Sequence, residues 1–368
     1  MKILLYYYNL NSIGGAPRVY SRIASHWAEE KGYEVCILSH FGHPKSFYPI
    51  SPKVRTRTAF PFYSINPGRI PRNLLSPFLF PKLLVVLLQF KPDIIIVNNA
   101  PYYGVIQAVI ARLFRRKVPL VIWKHSGVFM KSSFLYKITK RLLFATADAV
   151  VALTDGDSPL TRNKNTYVIR NPIPTVYSAE KGEFERGKTA LFVGRLVPQK
   201  NLNHLLKAWV MAKDSLNGWK LVIVGGGELE SSIKGFARKL KLTESVVFAG
   251  ETDSVAEYYK TASFFVMSSM HEGLPVVLIE ALFYGLPAVS YDCPFGPREI
   301  IKHNVNGILV ENGNIAALSE AIVKMVLDNE FREKLAAGTA ESMDKFSMEG
   351  IAADWDKLFS DLLPHSRS

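Results

Sequence analysis

Cysteine is scarce in this chain: two among 368 residues, Cys36 and Cys293. Two thiols build no disulfide framework, and no Cys/His cluster stands at zinc-ligand spacing, so a reducing cytoplasm fits. Long hydrophobic runs are missing too. The greasiest stretch, LLVVLLQF at 83–90, is stopped by Lys91 and Pro92, well short of the roughly 20 apolar residues of a membrane span. The opening KILLYYY lacks a small-residue cleavage site and reads as a first buried strand rather than a signal peptide. Acidic residues are scarce in one half only. Residues 1–180 hold 24 Lys+Arg against 8 Asp+Glu, a net of +16, while residues 181–368 hold 21 against 24, a net of −3. A basic half joined to a near-neutral one predicts an anionic partner for the first. No RNA-binding aromatic motif or helix-turn-helix pattern accompanies that charge, which argues against nucleic acid.

What is present describes a folded α/β protein. Hydrophobic residues make up 48% and charged residues 21%, as in globular domains, and the length calls for two cores rather than one. Strand-like runs at 2–8, 33–39, 92–99, 119–125 and 148–154 alternate with helical stretches. A second series follows at 189–195, 219–227, 245–250, 262–269 and 286–292. Continuous Val/Ile/Leu runs between helices predict parallel sheets covered on both faces, and two successive βαβ series predict a doubly wound fold occurring twice. The expected first domain is 1–172 and the second 186–347, with a proline- and charge-rich linker at 173–185. A last helix within 348–368 is free to pack on either domain, a return to the first included. The proline-rich segment 50–80 reads as a long, partly irregular loop.

The strongest local signal is HEGLPVVLIEALFYGLP at 271–287. It follows a strand, and Pro275 suits a first helical turn. The helix would open at the carboxyl edge of a parallel sheet, where free N–H groups and the helix dipole favour an anion such as a diphosphate. Glu272 and Glu280 are eight positions apart, roughly 12 Å if the whole span were helical. That matches the reach from a hexose across a diphosphate to a ribose. Glu280 stands among Val276, Val277, Leu278, Ile279, Ala281 and Leu282, so its carboxylate needs partners. Two ribose hydroxyls would serve, and so would a neighbouring Lys or Arg.

EGLPVVLIEALFYGLPAVS resembles the Glu-x7-Glu motif of retaining family 4 glycosyltransferases of the GT-B fold. GGAPRV at 14–19 resembles that family's glycine-rich loop, VGRLVPQKN at 193–201 its Gly-Arg-Leu…Lys-Asn segment, and REIIKHNVNGILV at 298–310 the segment after the motif. Four motifs in order cover nearly the whole chain. The resemblance implies two Rossmann-like doubly wound parallel-sheet domains facing across a cleft, the first binding acceptor and the second nucleotide sugar. It gives Arg195 and Lys200 the donor diphosphate, and Glu272 the hydroxyls of the transferred sugar. Gly273, Leu274, Pro275 and Val276 would present backbone to sugar and phosphate, and Glu280 would take the ribose. Gly14, Gly15 and Gly250 complete the donor-binding set. His125, at a strand end, matches the active-site histidine of the first domain. Where the family often carries an acidic residue after GGA, this chain has Pro17, which offers no carboxylate at that position. Gly225–Gly227 reads as a tight turn near the nucleotide.

No aspartate pair is placed to clamp a metal. DGD at 155–157 lies just after a first-domain strand, far in sequence from the donor motif, and the resemblance implies no required metal or other cofactor. The implied reaction moves a hexose or N-acetylhexosamine from a nucleoside diphosphate sugar to an acceptor hydroxyl, retaining the α configuration by front-face attack. The segment 292–300 resembles bacterial members that use UDP-sugars, which favours uridine over guanosine. The acceptor expected in cell-surface polysaccharide synthesis is a glycan or lipid-linked glycan. KITKRLLF at 137–144, FRRK at 114–117 and the segment 71–84 set cations beside apolar residues, suiting peripheral contact with an anionic membrane at its cytoplasmic face. A nucleotide-sugar epimerase on the same fold is the competing enzyme class.

Overall fold

In the computed structural model the Val/Ile/Leu runs form two parallel sheets. The structure describes residues 1–11, 14–42, 46–60, 79–98, 118–125, 144, 146–161, 163–173 and 184–363. Most of the basic segments at 71–84 and 137–144, all of 114–117 and most of the expected linker lie outside the described residues. The chain divides into two units, one of Met1–Pro172 with Met348–Ser368, the other of Ile173–Ser347.

The first unit holds seven strands: β1 Lys2–Asn9, β2 Glu34–Phe41, β3 Arg55–Phe60, β4 Ile94–Asn98, β5 Leu120–Trp123, β6 Ala149–Ala152 and β7 Thr166–Val168. Their order across the sheet is β3-β2-β1-β4-β5-β6-β7, with parallel registers such as Leu4 opposite Cys36 and Ile95. The order reverses between β1 and β4, the doubly wound arrangement in which ligands bind beyond the carboxyl strand ends at that switch point. Helices α1 (Gly15–Glu29) and α2 (Leu79–Phe90) belong to this unit. The segment read as an irregular loop, 50–80, in fact contains β3. RTRTAF alternates exposed arginines with half-buried threonines before the buried Ala59, and pairing of Ile37 with Thr56 makes it an edge strand. The proline count concealed it, because the prolines flank the strand instead of interrupting it.

The second unit repeats the pattern with β8 Thr189–Val193, β9 Lys220–Val224, β10 Val246–Gly250, β11 Phe264–Met267, β12 Ala288–Tyr291 and β13 Gly307–Val310, ordered β10-β9-β8-β11-β12-β13. Its helices are α3 Leu202–Met211, α4 Glu230–Lys239, α5 Val255–Thr261, α6 Val276–Phe283, α7 Gly296–Ile300, α8 Ile315–Leu327 and α9 Asn329–Ala337. Phe192, Phe264, Val266, Trp209 and Leu318 lie in one buried core. The switch point falls between β8 and β11.

The last helix, α10 (Met348–Leu362), joins the first unit. Its Trp355 ring meets Trp27 of α1 edge-on at 5.3 Å and Trp123 of β5 at 4.8 Å. All three rings are fully buried. Lys31 and Tyr33 bind Asp356 at 2.7 and 3.1 Å, and Tyr167 donates to Asp361 at 2.9 Å. Helical spacing puts Ile351, Trp355, Leu358 and Phe359 on one buried stripe, and that stripe needed an aromatic partner which α1 supplies.

Candidate active site

In the second unit, the loops after β8 and β11 stand side by side because these strands are sheet neighbours. They are stitched together. Met270 N–H donates to the Gln199 carbonyl at 3.0 Å. Gln199 Nε2 donates to the His271 carbonyl at 2.8 Å and to Glu272 Oε2 at 3.3 Å. Ser268 Oγ donates to the Lys200 carbonyl at 2.9 Å. The stitching brings Lys200 Nζ to 2.7 Å from Glu272 Oε1, with both side chains largely buried, at 14% and 8% exposure. A pair this dry is screened little by salt, and removal of either partner strands a buried charge.

Glu272 lies in the loop, four residues ahead of α6, so the Glu272–Glu280 span is only half helical. Pro275 caps α6, and its carbonyl accepts from Leu278 at 3.0 Å. The helix's first amides, on Val276 and Val277, have no carbonyl one turn earlier to bond. Leu274 and Val276 are buried. Cys293 stands close by: burial pushes its thiol up to about 12, with the Glu272 carboxylate reinforcing the shift and the Lys200 ammonium opposing it. Arg195 is exposed on the loop after β8; its carbonyl accepts from Val197 N–H at 3.0 Å, and its guanidinium makes no hydrogen bond or ion pair among the described residues. Two backbone bonds hold that loop, Gly194 N–H to Val224 at 3.0 Å and Leu196 N–H to Gly226 at 2.8 Å. Gly225, at φ 126°, runs so near Gly194 that a Cβ would sit 2.2 Å from its carbonyl oxygen. Gly225 N–H donates to Gly250 at 2.7 Å, which brings Gly250 to the same sheet edge. Lys200, Glu272, Gly273–Val276 and Gly250 therefore share the carboxyl edge of one sheet, and Gln199 joins them as a residue that sequence reasoning passed over within VPQKN. Glu280 is buried in α6 and accepts from the Tyr259 hydroxyl at 3.0 Å.

In the first unit, Gly14 caps α1, and its N–H donates to the Tyr48 hydroxyl at 3.0 Å. Gly15 opens the helix and is exposed, whereas Pro17 is buried in its first turn. His125 follows β5 with its ring 4.5 Å from Trp123 and 5.2 Å from Tyr20. Its Nε2 is buried without a hydrogen-bond partner among the described residues. Beside it Lys124, almost fully buried, pairs with Asp157 of the DGD turn, so that aspartate is occupied by a cation of the chain itself.

Burial drives the His125 pKa down to about 3 and that of His40 down to about 4. His40 is buried and its Nδ1 lies 2.6 Å from the Tyr6 hydroxyl. Both imidazoles are neutral at pH 7. An unfolded chain takes up a proton at each near 6.5, while the folded chain waits until the lowered values. The unfolded state thus binds more protons across that window, and stability falls as pH falls. Lowering the pH from 7 to 5 should cost about 2 kcal/mol for each histidine. Urea unfolding at the two pH values checks this; the His40→Asn variant should lose about half of the pH dependence, and an unchanged slope in that variant contradicts the assignment.

Two doubly wound parallel-sheet units in one chain are the architecture of GT-B enzymes. Residues 13–176 match the family model described as Glycosyltransferase Family 4, and residues 175–341 the one described as Glycosyl transferases group 1. The chain is 30% identical over 255 residues to lipopolysaccharide 1,6-galactosyltransferase of Escherichia coli, covering 65% of this chain and 67% of that one. It is 28% identical over 373 residues to a Campylobacter jejuni α-1,4-N-acetyl-D-galactosaminyltransferase named for a GalNAc-GalNAc-diNAcBac-PP-undecaprenol, covering 98% and 99%. Among solved structures, a variant of S. aureus TarM in complex with Fondaparinux, α-GlcNAc-glycerol and UDP shares the fold, with a TM-score of 0.78 at 15% identity and coverage of 98% and 99%. The chain belongs to the family 4 glycosyltransferases and is a glycosyltransferase enzyme of the GT-B fold.

Proposed function

We propose that this enzyme transfers a hexose or N-acetylhexosamine from a UDP-sugar to a hydroxyl of a glycan or lipid-linked glycan, with retention, in cell-surface polysaccharide or lipopolysaccharide synthesis. The observation that carries the reading is the buried Lys200–Glu272 pair at the β8/β11 switch point, directly ahead of α6. On this reading Lys200 and Arg195 bind the diphosphate. Their charge stabilises the leaving group as the glycosidic bond breaks, which is where negative charge develops. Glu272 accepts from hydroxyls of the transferred sugar, backbone of Gly273–Val276 faces sugar and phosphate, and Glu280 takes the ribose. Gly250 lines the nucleotide edge. The acceptor hydroxyl attacks the face the diphosphate leaves, and the departing phosphate oxygen takes its proton. His125, neutral and buried, contacts the sugar near the reacting carbon, with Gly14 and Gly15 allowing close backbone approach. The first unit is the acceptor-binding domain and the second the donor-binding domain. No metal is called for, because Arg195, Lys200 and the α6 dipole supply the positive charge.

The relatives named for lipopolysaccharide and for an undecaprenol-linked glycan support the acceptor class, and the UDP held by the TarM variant supports the donor. Incubation with a panel of UDP- and GDP-sugars, with and without lipid-linked glycan, tests the reading by nucleotide release. UDP release that requires acceptor supports it. Turnover of the sugar without acceptor points to an epimerase, and preference for a GDP-sugar overturns the donor assignment.

A peripheral contact with anionic membrane at the cytoplasmic face is part of the proposal. On α2, Val85 and Leu88 are exposed, at 50% and 57%. Lys82, Lys91, Arg55 and Arg57 are exposed on α2 and on the segments around it, and such a mixture of apolar and cationic side chains suits anionic lipid. The Val85→Glu/Leu88→Glu variant should reduce co-sedimentation with phosphatidylglycerol vesicles about tenfold. Undiminished binding by that variant removes α2 from the docking surface.

A further inference from the structure

Glu280 presents a physical problem that its own helix does not solve. Glu280 is 1% exposed and six of its neighbours in α6 are aliphatic, so the carboxylate must be held by donors from elsewhere. One donor comes from α5. Tyr259 is fully buried, and its hydroxyl lies 3.0 Å from Glu280 Oε2 and 3.3 Å from the Val277 carbonyl. A phenol has one proton. The carboxylate is the nearer and stronger acceptor, while the Val277 carbonyl already has its place in the ladder of α6.

Tyr259 is in turn fixed at three points. Its ring stacks on Tyr284 with centroids 5.6 Å apart and planes 11° from parallel. The Arg186 guanidinium donates to the carbonyls of Tyr259 at 3.3 Å, Ala262 at 2.7 Å and Tyr284 at 2.5 Å, tying the end of α5 to the end of α6. Its hydroxyl is the third point. A side chain held at ring, backbone and tip leaves little freedom to the carboxylate it bonds. That bond restrains rotation of the Glu280 carboxyl plane, a terminal torsion that is intrinsically broad.

We propose that Tyr259 is the positioning residue for Glu280, orienting its carboxylate toward the vicinal ribose hydroxyls of the donor nucleotide. The inference rests on the reading of Glu280 as the ribose ligand. Two vicinal hydroxyls donate together only to a carboxylate whose plane is set, so the Tyr259 bond acts on ribose recognition and not on the base or the phosphates.

Calorimetric titration with UDP and with 2′,3′-dideoxy-UDP tests this on the full chain, in wild type, Tyr259→Phe and Glu280→Leu. Tyr259→Phe should raise the Kd for UDP about tenfold and leave that for dideoxy-UDP within about twofold, while Glu280→Leu should bind the two nucleotides alike. A merely structural role would weaken both nucleotides together. Equal weakening of both by Tyr259→Phe, or none of either, overturns the inference while leaving Glu280 as ribose ligand if Glu280→Leu has lost the discrimination. Retained discrimination in Glu280→Leu removes the ribose reading and the inference with it. Circular dichroism melting of Tyr259→Phe, which deletes one oxygen and leaves the ring stack, should stay within a few degrees of wild type.

Discussion

Exchange of Lys200 for methionine should lower kcat for sugar transfer by about a thousandfold, the upper end of what a single electrostatic stabiliser of a developing anion contributes. Lys200 Nζ lies 2.7 Å from Glu272 Oε1 in a site where both are nearly dry. Each charge is neutralised by the other until donor arrives. A nucleoside diphosphate sugar brings anionic oxygens for the ammonium and hydroxyl donors for the carboxylate, so both ends of the pair find equivalent partners when it opens. Methionine keeps the unbranched apolar stem, one atom shorter, and removes the charge, leaving Glu272 with Gln199 as its observed donor. Breaking a buried pair from one side typically costs about 3–5 kcal/mol, so the variant should also melt lower. Lys200→Met/Glu272→Gln should regain most of the stability and none of the activity. Separate measurements of kcat, of KM for donor and of Tm distinguish the two consequences. A loss in kcat of less than about tenfold would place the leaving-group charge elsewhere.

Much of this was legible in the sequence because the second unit follows local rules closely. The runs TALFV and FFVM are buried strands as their composition dictates, and α6 begins where Pro275 allows a first turn. Lys200 and Glu272 stood out through the resemblance of VGRLVPQKN and EGLPVVLIE to the family's motifs, and both lie at one sheet edge because each follows a strand of the same sheet. Three things were not legible. Strand β3 hid between prolines, since its edge position requires pairing on one side only. Tyr259 is 21 residues from Glu280, and nothing in AEYYKTA distinguishes the tyrosine that turns inward from Tyr258 before it. The return of α10 to the first unit depends on Trp27 and Trp123 offering a socket for Trp355, a match of shape that no periodicity encodes. Two doubly wound parallel sheets followed from alternating runs, whereas the identity of each carboxylate's partner came only with the coordinates.

Gly296 makes the last of these points sharply, because its neighbours in sequence give no sign of its importance. It opens α7 directly after Phe295, and its backbone needs no left-handed conformation. What it needs is space. A Cβ there would stand 2.2 Å from the Gly273 carbonyl oxygen and 2.5 Å from the Pro275 ring, both on the loop that carries Glu272 into α6. Neither neighbour is the far end of a flexible chain, so the Gly273–Pro275 loop would have to move bodily. Displacement of a positioned group by about 1 Å can cost about a hundredfold in rate. Gly296→Ala should therefore lower kcat/KM for donor about a hundredfold. Gly235→Ala is the matched control: it lies within α4 with nothing inside 4 Å of the added methyl, and it should leave activity unchanged while stabilising the unit by about 0.5–1 kcal/mol. The two substitutions add the same atom, so any difference between them reports the space that each glycine guards. Wild-type kinetics in Gly296→Ala would mean that the Gly273–Pro275 loop has room to yield, and that donor geometry does not depend on its position.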